Sequence, residues 1–253
     1  MLLNEICYKK SSIQQMIIRL DFLKFESSEI IFNDAVLKAI VDSFPQKGKQ
    51  QIIKYNNLSI VDGINGTKAN KSTVEGIQQD FSNYDNNKII ISNTFVILEI
   101  NQYTSFEDTI SVFEPVLHAL FMNTHLTIIR TGIRYINTFD NNSFKPQKSF
   151  FSKDIAFVLD YKNVQSNKMQ YLRSMNLIEY RVGDMRLNFR YGLFNPIYPE
   201  PIRDNSLVLD YDCYCDEAIN DITNIMKHIN NGHDSIQLLY ENSITDKLRD
   251  LMR

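Results

Sequence analysis

The amino-acid sequence predicts an α+β protein built on antiparallel sheets. Three observations lead there. Apolar residues alternate at period two in segments spread along the chain, from Ile13–Phe22 to Ser206–Cys215. Other segments switch to helical spacing, two in the first half and two at the end. Turn residues, Asp85-Asn86-Asn87 and Gly183-Asp184, fall between strand-like runs and fold them back as hairpins.

Taken in order, residues 13–22 read as a strand. Asn33 or Asp34 then caps a short helix whose apolar positions Val36, Leu37, Ile40, Val41 and Phe44 share a face, and Pro45 stops it. Residues 50–55 form a second strand. The stretch 62–72, rich in Gly, Asn, Lys and Ser, reads as a mobile loop. The runs 74–84 and 88–103 form a hairpin. Ser105-Phe106-Glu107-Asp108 resembles a capping box with Asp at its last position, and the helix behind it buries Ile110, Phe113, Leu117 and Leu120 around an internal Pro115. Residues 126–139 are the next strand. This order gives a ferredoxin-like β-α-β-β-α-β N-terminal half with an extra strand.

Asn141–Gln147, with Pro146, is the plausible boundary between a lobe of residues 1–140 and a second of 141–253, expected to pack as one compact unit. The second lobe contains a long hairpin (168–181 and 185–194), a connector marked by Pro196, Pro199 and Pro201, and a strand over 206–215. Two helical stretches, 216–230 and 234–252, are separated by a break at Asn230-Asn231-Gly232.

Composition bounds the function classes. With 253 residues, 43% hydrophobic and 23% charged, the chain has material for a substantial core. A net charge of −3 makes no global case for nucleic acid or membrane. The distribution is less even. Residues 126–203 carry 12 Lys+Arg against 6 Asp+Glu, and residues 204–253 carry 4 against 10, so a basic middle and an acidic tail nearly cancel. Either they pack together, or they form a basic groove with an acidic wall that focuses a field on an anion. Three cysteines, Cys7, Cys213 and Cys215, form no C-x-x-C, and the last two share a strand face, which suits a reducing compartment. No run approaches a membrane span and the N-terminus lacks the shape of a secretory signal, so a cytoplasmic location is expected.

Seven of the ten arginines fall between Arg130 and Arg203. Period-two alternation puts Arg130 and Arg134 on one strand face and Arg186 and Arg190 on one face of another. Lysine is used freely elsewhere, so arginine within strands suggests that its planar five-donor fork is needed. These four, with Tyr135 available for stacking, are the candidate anion- or partner-binding residues. Asp210 and Asp212, which share a face of the last strand, are the acidic counterpart that would pair with them internally. Asp210-Tyr211-Asp212 also invites a metal reading, but a third ligand at recognisable spacing is missing. A nuclease strand would need Lys two positions after its acid, whereas Glu99-Ile100-Asn101 has Asn and Glu179-Tyr180-Arg181 has Arg. The four histidines do not cluster in sequence, and phosphate-binding loops, dinucleotide fingerprints and nucleophile elbows are absent. No catalytic residue, metal or cofactor is expected.

Three stretches carry a resemblance. Arg130-Thr131-Gly132-Ile133-Arg134-Tyr135-Ile136-Asn137 resembles the R-x-G-x-R-Y-I-N strand of a sporadically distributed, uncharacterised bacterial and archaeal family of about this length. His233-Asp234 with Ser243-Ile244-Thr245-Asp246-Lys247-Leu248-Arg249 is similar to that family's closing motif, and Tyr103-Thr104-Ser105-Phe106-Glu107 to its segment before the middle helix. The family has no assigned activity, so the resemblance carries over no catalytic residue. Its patchy distribution implies accessory genes of the kind found in defence loci. Gly232 beside the His-Asp pair departs from the family's pattern. The expected role is therefore a non-enzymatic cytosolic protein that binds a protein partner, as an accessory factor in bacterial defence. The alternatives are an RNA-binding or RNA-processing protein with an arginine-lined groove, and a sensor of a small anionic nucleotide.

Overall fold

A computed structural model describes residues 6–23, 33–63, 66–123, 126–160, 169–203 and 206–253, with backbone alone for 53–63, 66–75 and 123. Among these, ten antiparallel strands form one open sheet accompanied by five helices. The strands are β1 (Ile13–Phe22), β2 (Gln46–Lys47), β3 (Gln51–Gly63), β4 (Gly66–Ser82), β5 (Lys88–Ser92), β6 (Phe95–Ile100), β7 (Ile128–Phe139), β8 (Ser174–Val182), β9 (Met185–Phe194) and β10 (Ser206–Cys215). The helices are α1 (Asp34–Val41), α2 (Phe106–Asn123), α3 (Lys153–Ala156), α4 (Ile222–Ser243) and α5 (Asp246–Met252).

The sheet runs β2-β4-β5-β6-β1-β7-β10-β9-β8, with β3 hydrogen-bonded to β4 off this path. Its central order β5-β6-β1-β7, with α1 leaving β1 and α2 crossing from β6 to β7, is the expected ferredoxin-like arrangement, and α1 packs on α2. The β2–β4 excursion is inserted before β5. Because β10 pairs with β7 along Leu207↔Phe139 to Cys215↔Thr131, strands from both halves of the chain share one sheet.

Several local readings are met. The Asn33 side chain accepts from the Val36 N–H at 2.9 Å and starts α1, and Ser105 Oγ accepts from the Asp108 N–H at 3.0 Å ahead of α2. Pro115 lies within α2. Asn86 (φ 59°) sits in the β4–β5 turn and Gly183 (φ 62°) in the β8–β9 turn, both in the left-handed region that Asn and Gly tolerate. The run 88–103 is divided, since Asn93-Thr94 separates β5 from β6.

Three readings are corrected. The stretch 62–72 is not a loop: 66–72 belongs to β4, paired with β3 from Gln51↔Gln78 to Gly63↔Gly66, while residues 64 and 65 lie outside the described set. Backbone hydrogen bonds hold a two-stranded ladder whatever the polarity of its side chains, so composition misled there. The break at Asn230–Gly232 does not exist either, because α4 runs unbroken from Ile222 to Ser243. A Cβ on Gly232 would lie 2.6 Å from Ile133 Cγ2, so this glycine lets the helix approach β7 closely instead of ending it. The chain instead turns between Ser243 and Asp246, and residues 216–221 precede α4 without helix, with Ile219 bridged to Ile128 by two 2.8 Å backbone bonds.

α1, α2 and α4 pack on one face of the sheet. That face and its cover contribute Met16, Ile18, Leu20, Ile133, Leu187, Phe189, Tyr211, Ile229 and Leu248 to the core. The alternate residues of the same strands, among them Arg19, Arg134 and Tyr214, are partly exposed on the opposite face. Among the described residues no helix is long and apolar enough to cross a membrane.

Candidate binding face

The arginine strands meet on the face of the sheet turned away from α1, α2 and α4. In register, Asp212 lies opposite Arg134 across the β7–β10 ladder, and Asp210 opposite Arg190 across the β10–β9 ladder. Arg134 nevertheless reaches its diagonal neighbour. Its Nε donates to Asp210 Oδ1 at 2.7 Å and its Nη2 to Asp210 Oδ2 at 2.8 Å, a bidentate pair. Arg190 completes the cluster, with Nη1 donating to Asp210 Oδ2 at 3.3 Å and Nη2 lying 3.8 Å from Asp212 Oδ2.

Electrostatics separate the two aspartates. Asp210 is buried and receives both guanidinium groups. The Asp210 hydrogen bonds raise the Arg134 pKa above the ordinary arginine value despite desolvation. Asp212 has its carboxyl pKa raised: loss of solvent outweighs the arginines around it, and the neighbouring Asp210 charge adds to the rise. Arg130 stands further along β7, stacked 3.9 Å above the Tyr214 ring with Nη1 3.5 Å from Asp216. Arg186 is exposed and pairs with no carboxylate among the described residues.

Two depressions meet at Arg134. One lies over β6, β1, β7 and β10, lined by Arg19, Asp21, Glu99, Arg130 and Asp212, and spans about 880 Å³ open to solvent. The other, about 1560 Å³, extends toward the 140–142 turn and is lined by Ile136, Val208, Met175, Phe194 and Asp210. Beyond it β8 is exposed along most of its length, and its accessible Met175 and Leu177, paired with Gly192 and Arg190, lie on this face. Charged pairs thus occupy the centre of the face, and apolar side chains its β8 end.

Tyr135 does not join the arginines. It points to the helix side, where its hydroxyl lies 2.9 Å from His233 Nδ1 and its ring meets Tyr103 edge-on at 5.7 Å. Phe106 stacks on His233 at 3.9 Å between ring centroids. Ser12 Oγ donates to Asn137 Oδ1 at 2.9 Å and lies 2.7 Å from the Tyr240 hydroxyl. Of these, Ser12, Tyr103, Tyr135, Asn137, His233 and Tyr240 line a pocket of about 580 Å³, its open mouth included. The stretches around Tyr103, Tyr135 and His233, remote in sequence, therefore converge on one aromatic and polar cluster, which strand parity alone does not reveal. His233 sits inside α4.

Sequence reasoning passed over one group. Asp184, Cys215 and His228 come together from a turn, a strand end and a helix with no motif spacing to signal them. No known protein family matches this chain, and no curated protein does.

Proposed function

We propose that this is a non-enzymatic binding protein that engages a protein partner through the face of its sheet turned away from α1, α2 and α4. One observation carries the reading: the six adjacent strands β6-β1-β7-β10-β9-β8 contain six arginines and no lysine, although only ten of the chain's 27 basic residues are arginine. Protein interfaces are enriched in Arg, Tyr, Phe and Met and depleted of Lys, because a guanidinium loses less on desolvation and holds a fixed geometry. Phe194, Met175 and Leu177 continue the same face toward β8 and supply exposed apolar area.

Charge balance favours a protein over a polyanion. Each of Arg19, Arg134 and Arg190 already holds an aspartate, which leaves little net positive potential to attract phosphates. The resemblance to a sporadically distributed bacterial and archaeal family is what suggests a cytoplasmic accessory role in a defence system.

The test compares the full chain with a double variant, Arg186→Glu and Leu177→Asp, both at exposed positions. Cross-linking and co-purification from the native host are expected to recover a protein with the parent chain and to lose it with the variant, at unchanged melting temperature. Equal recovery with both chains overturns the reading. Association that falls steeply with salt and disappears on nuclease treatment would select the RNA alternative instead.

A further inference from the structure

On the helix side, Asp184 in the β8–β9 turn, Cys215 at the end of β10 and His228 in the second turn of α4 bring one carboxylate oxygen, one sulfur and one ring nitrogen within 4.8 Å of one another. Among the described residues this is the one such trio of His, Cys and carboxylate donors. We propose that Asp184, Cys215 and His228 bind a single divalent cation of borderline softness, zinc in the first instance.

The convergence of a carboxylate, a thiol and a buried imidazole on one point carries the argument. His228 is 7% exposed, and its Nε2 lies 3.3 Å from Asp184 Oδ2. Its Nδ1 is buried with no hydrogen-bond partner. A cation among the three donors would take Nε2, the nitrogen that faces Asp184, and the ring proton would then sit on Nδ1.

The donor set selects the ion. A thiol with an imidazole suits zinc, whereas magnesium and calcium take oxygen ligands. Three protein ligands are one short of a closed tetrahedron. The Asp184 side chain is 47% exposed, so the site opens to solvent and water takes the fourth position. A cysteine nucleophile is the competing use of such a trio. Cys215 is 1% exposed, which shields its sulfur from an incoming substrate. A bound cation ties the β8–β9 turn to α4, which distinguishes this site from the arginine face on the other side of the sheet.

The full-length chain, purified without a histidine tag and stripped with a chelator, is titrated with Co²⁺ and with Zn²⁺. One equivalent is expected to bind, a thiolate-to-cobalt charge-transfer band to grow in, and the melting temperature to rise with Zn²⁺. Cys215→Ser removes the band and the exposed Cys7→Ser keeps it. Asp184→Asn, a change in an exposed turn, weakens Zn²⁺ by at least about tenfold. Folded parent protein without a band overturns the assignment, as does a band that survives Cys215→Ser. If Cys215→Ser fails to fold, Asp184→Asn decides alone, and unchanged Zn²⁺ affinity there also overturns it.

Discussion

Arg134 grips Asp210 with two parallel hydrogen bonds of 2.7 and 2.8 Å, although the strand register places Asp212, not Asp210, directly across from it. The diagonal reach leaves Asp212 with only the more distant Arg190 contact at 3.8 Å. The two carboxylates therefore contribute to stability in opposite senses.

Removing Arg134 strands a carboxylate that is only 7% exposed, with Arg190 as its remaining partner. Arg134→Ala is expected to cost about 1–2 kcal/mol, below the value for a fully buried pair because Arg134 is itself 39% exposed. Arg130→Ala, which loses a stacked ring and one long ion pair at the surface, costs less than about 1 kcal/mol. Urea denaturation followed by circular dichroism measures both. An equal cost for the two would mean that the Asp210 pair contributes nothing special.

Asp212 yields a pH signature. Its folded-state pKa is raised, chiefly by desolvation, so the folded chain holds a proton that the unfolded chain releases. Stability from this group therefore falls as pH rises from the ordinary carboxylate value through the raised one. Asp212→Asn removes that loss. The variant is expected to be more stable than the parent at neutral pH, with its advantage vanishing below about pH 4. Chemical denaturation at a series of pH values checks the trend, and a constant difference would contradict it.

Gly232 tests close packing against helix propensity. Alanine in a helix interior is worth about 1 kcal/mol over glycine. Here its Cβ would meet Ile133 Cγ2 at 2.6 Å and Met185 Cε at 3.3 Å. Gly232→Ala is expected to destabilise by about 1–3 kcal/mol, against its propensity. Combining it with Ile133→Ala should recover part of that loss as a favourable coupling in a double-mutant cycle.

Arg249 closes the C-terminal turn. Its Nε donates to Glu241 Oε2 and its Nη1 to Asp246 Oδ1, at 2.8 and 2.7 Å, while Nη2 donates to the Glu241 and Ile244 carbonyls at the end of α4. Glu241 also accepts from the Tyr8 hydroxyl at 2.8 Å, which ties the N-terminal segment into the same network. Arg249→Lys keeps the charge but cannot span four acceptors, so a loss of about 2 kcal/mol is expected, with faster amide exchange across residues 244–252. Unchanged exchange there would show that burial of Leu248 and Met252, with backbone bonds such as Lys10 N–H to Met252 O at 2.9 Å, holds α5 without Arg249.

Much of this architecture was legible before the fold. Ile13–Phe22 and Ser206–Cys215 read as strands and the capped α1 as a helix because alternation, helical spacing and caps are properties of a few neighbouring residues. The same parity puts Arg130 and Arg134 together, and it also sends Tyr135 to the opposite side, where it bonds His233. Composition failed where local signals are ambiguous. Polar residues at 66–72 resemble a loop but are strand, and Gly232 resembles a helix break but marks a contact.

The sequence by itself therefore determined most of the elements, their facing, and the concentration of arginine between Arg130 and Arg203. Only the tertiary structure decided that Arg134 takes Asp210, that Gly232 carries α4 against Ile133, and that Asp184, Cys215 and His228 share one point in space. The physical reason is range. Facing follows from backbone geometry over two to four residues. Register and helix docking instead follow from burial summed over many distant contacts, which no short window of sequence contains.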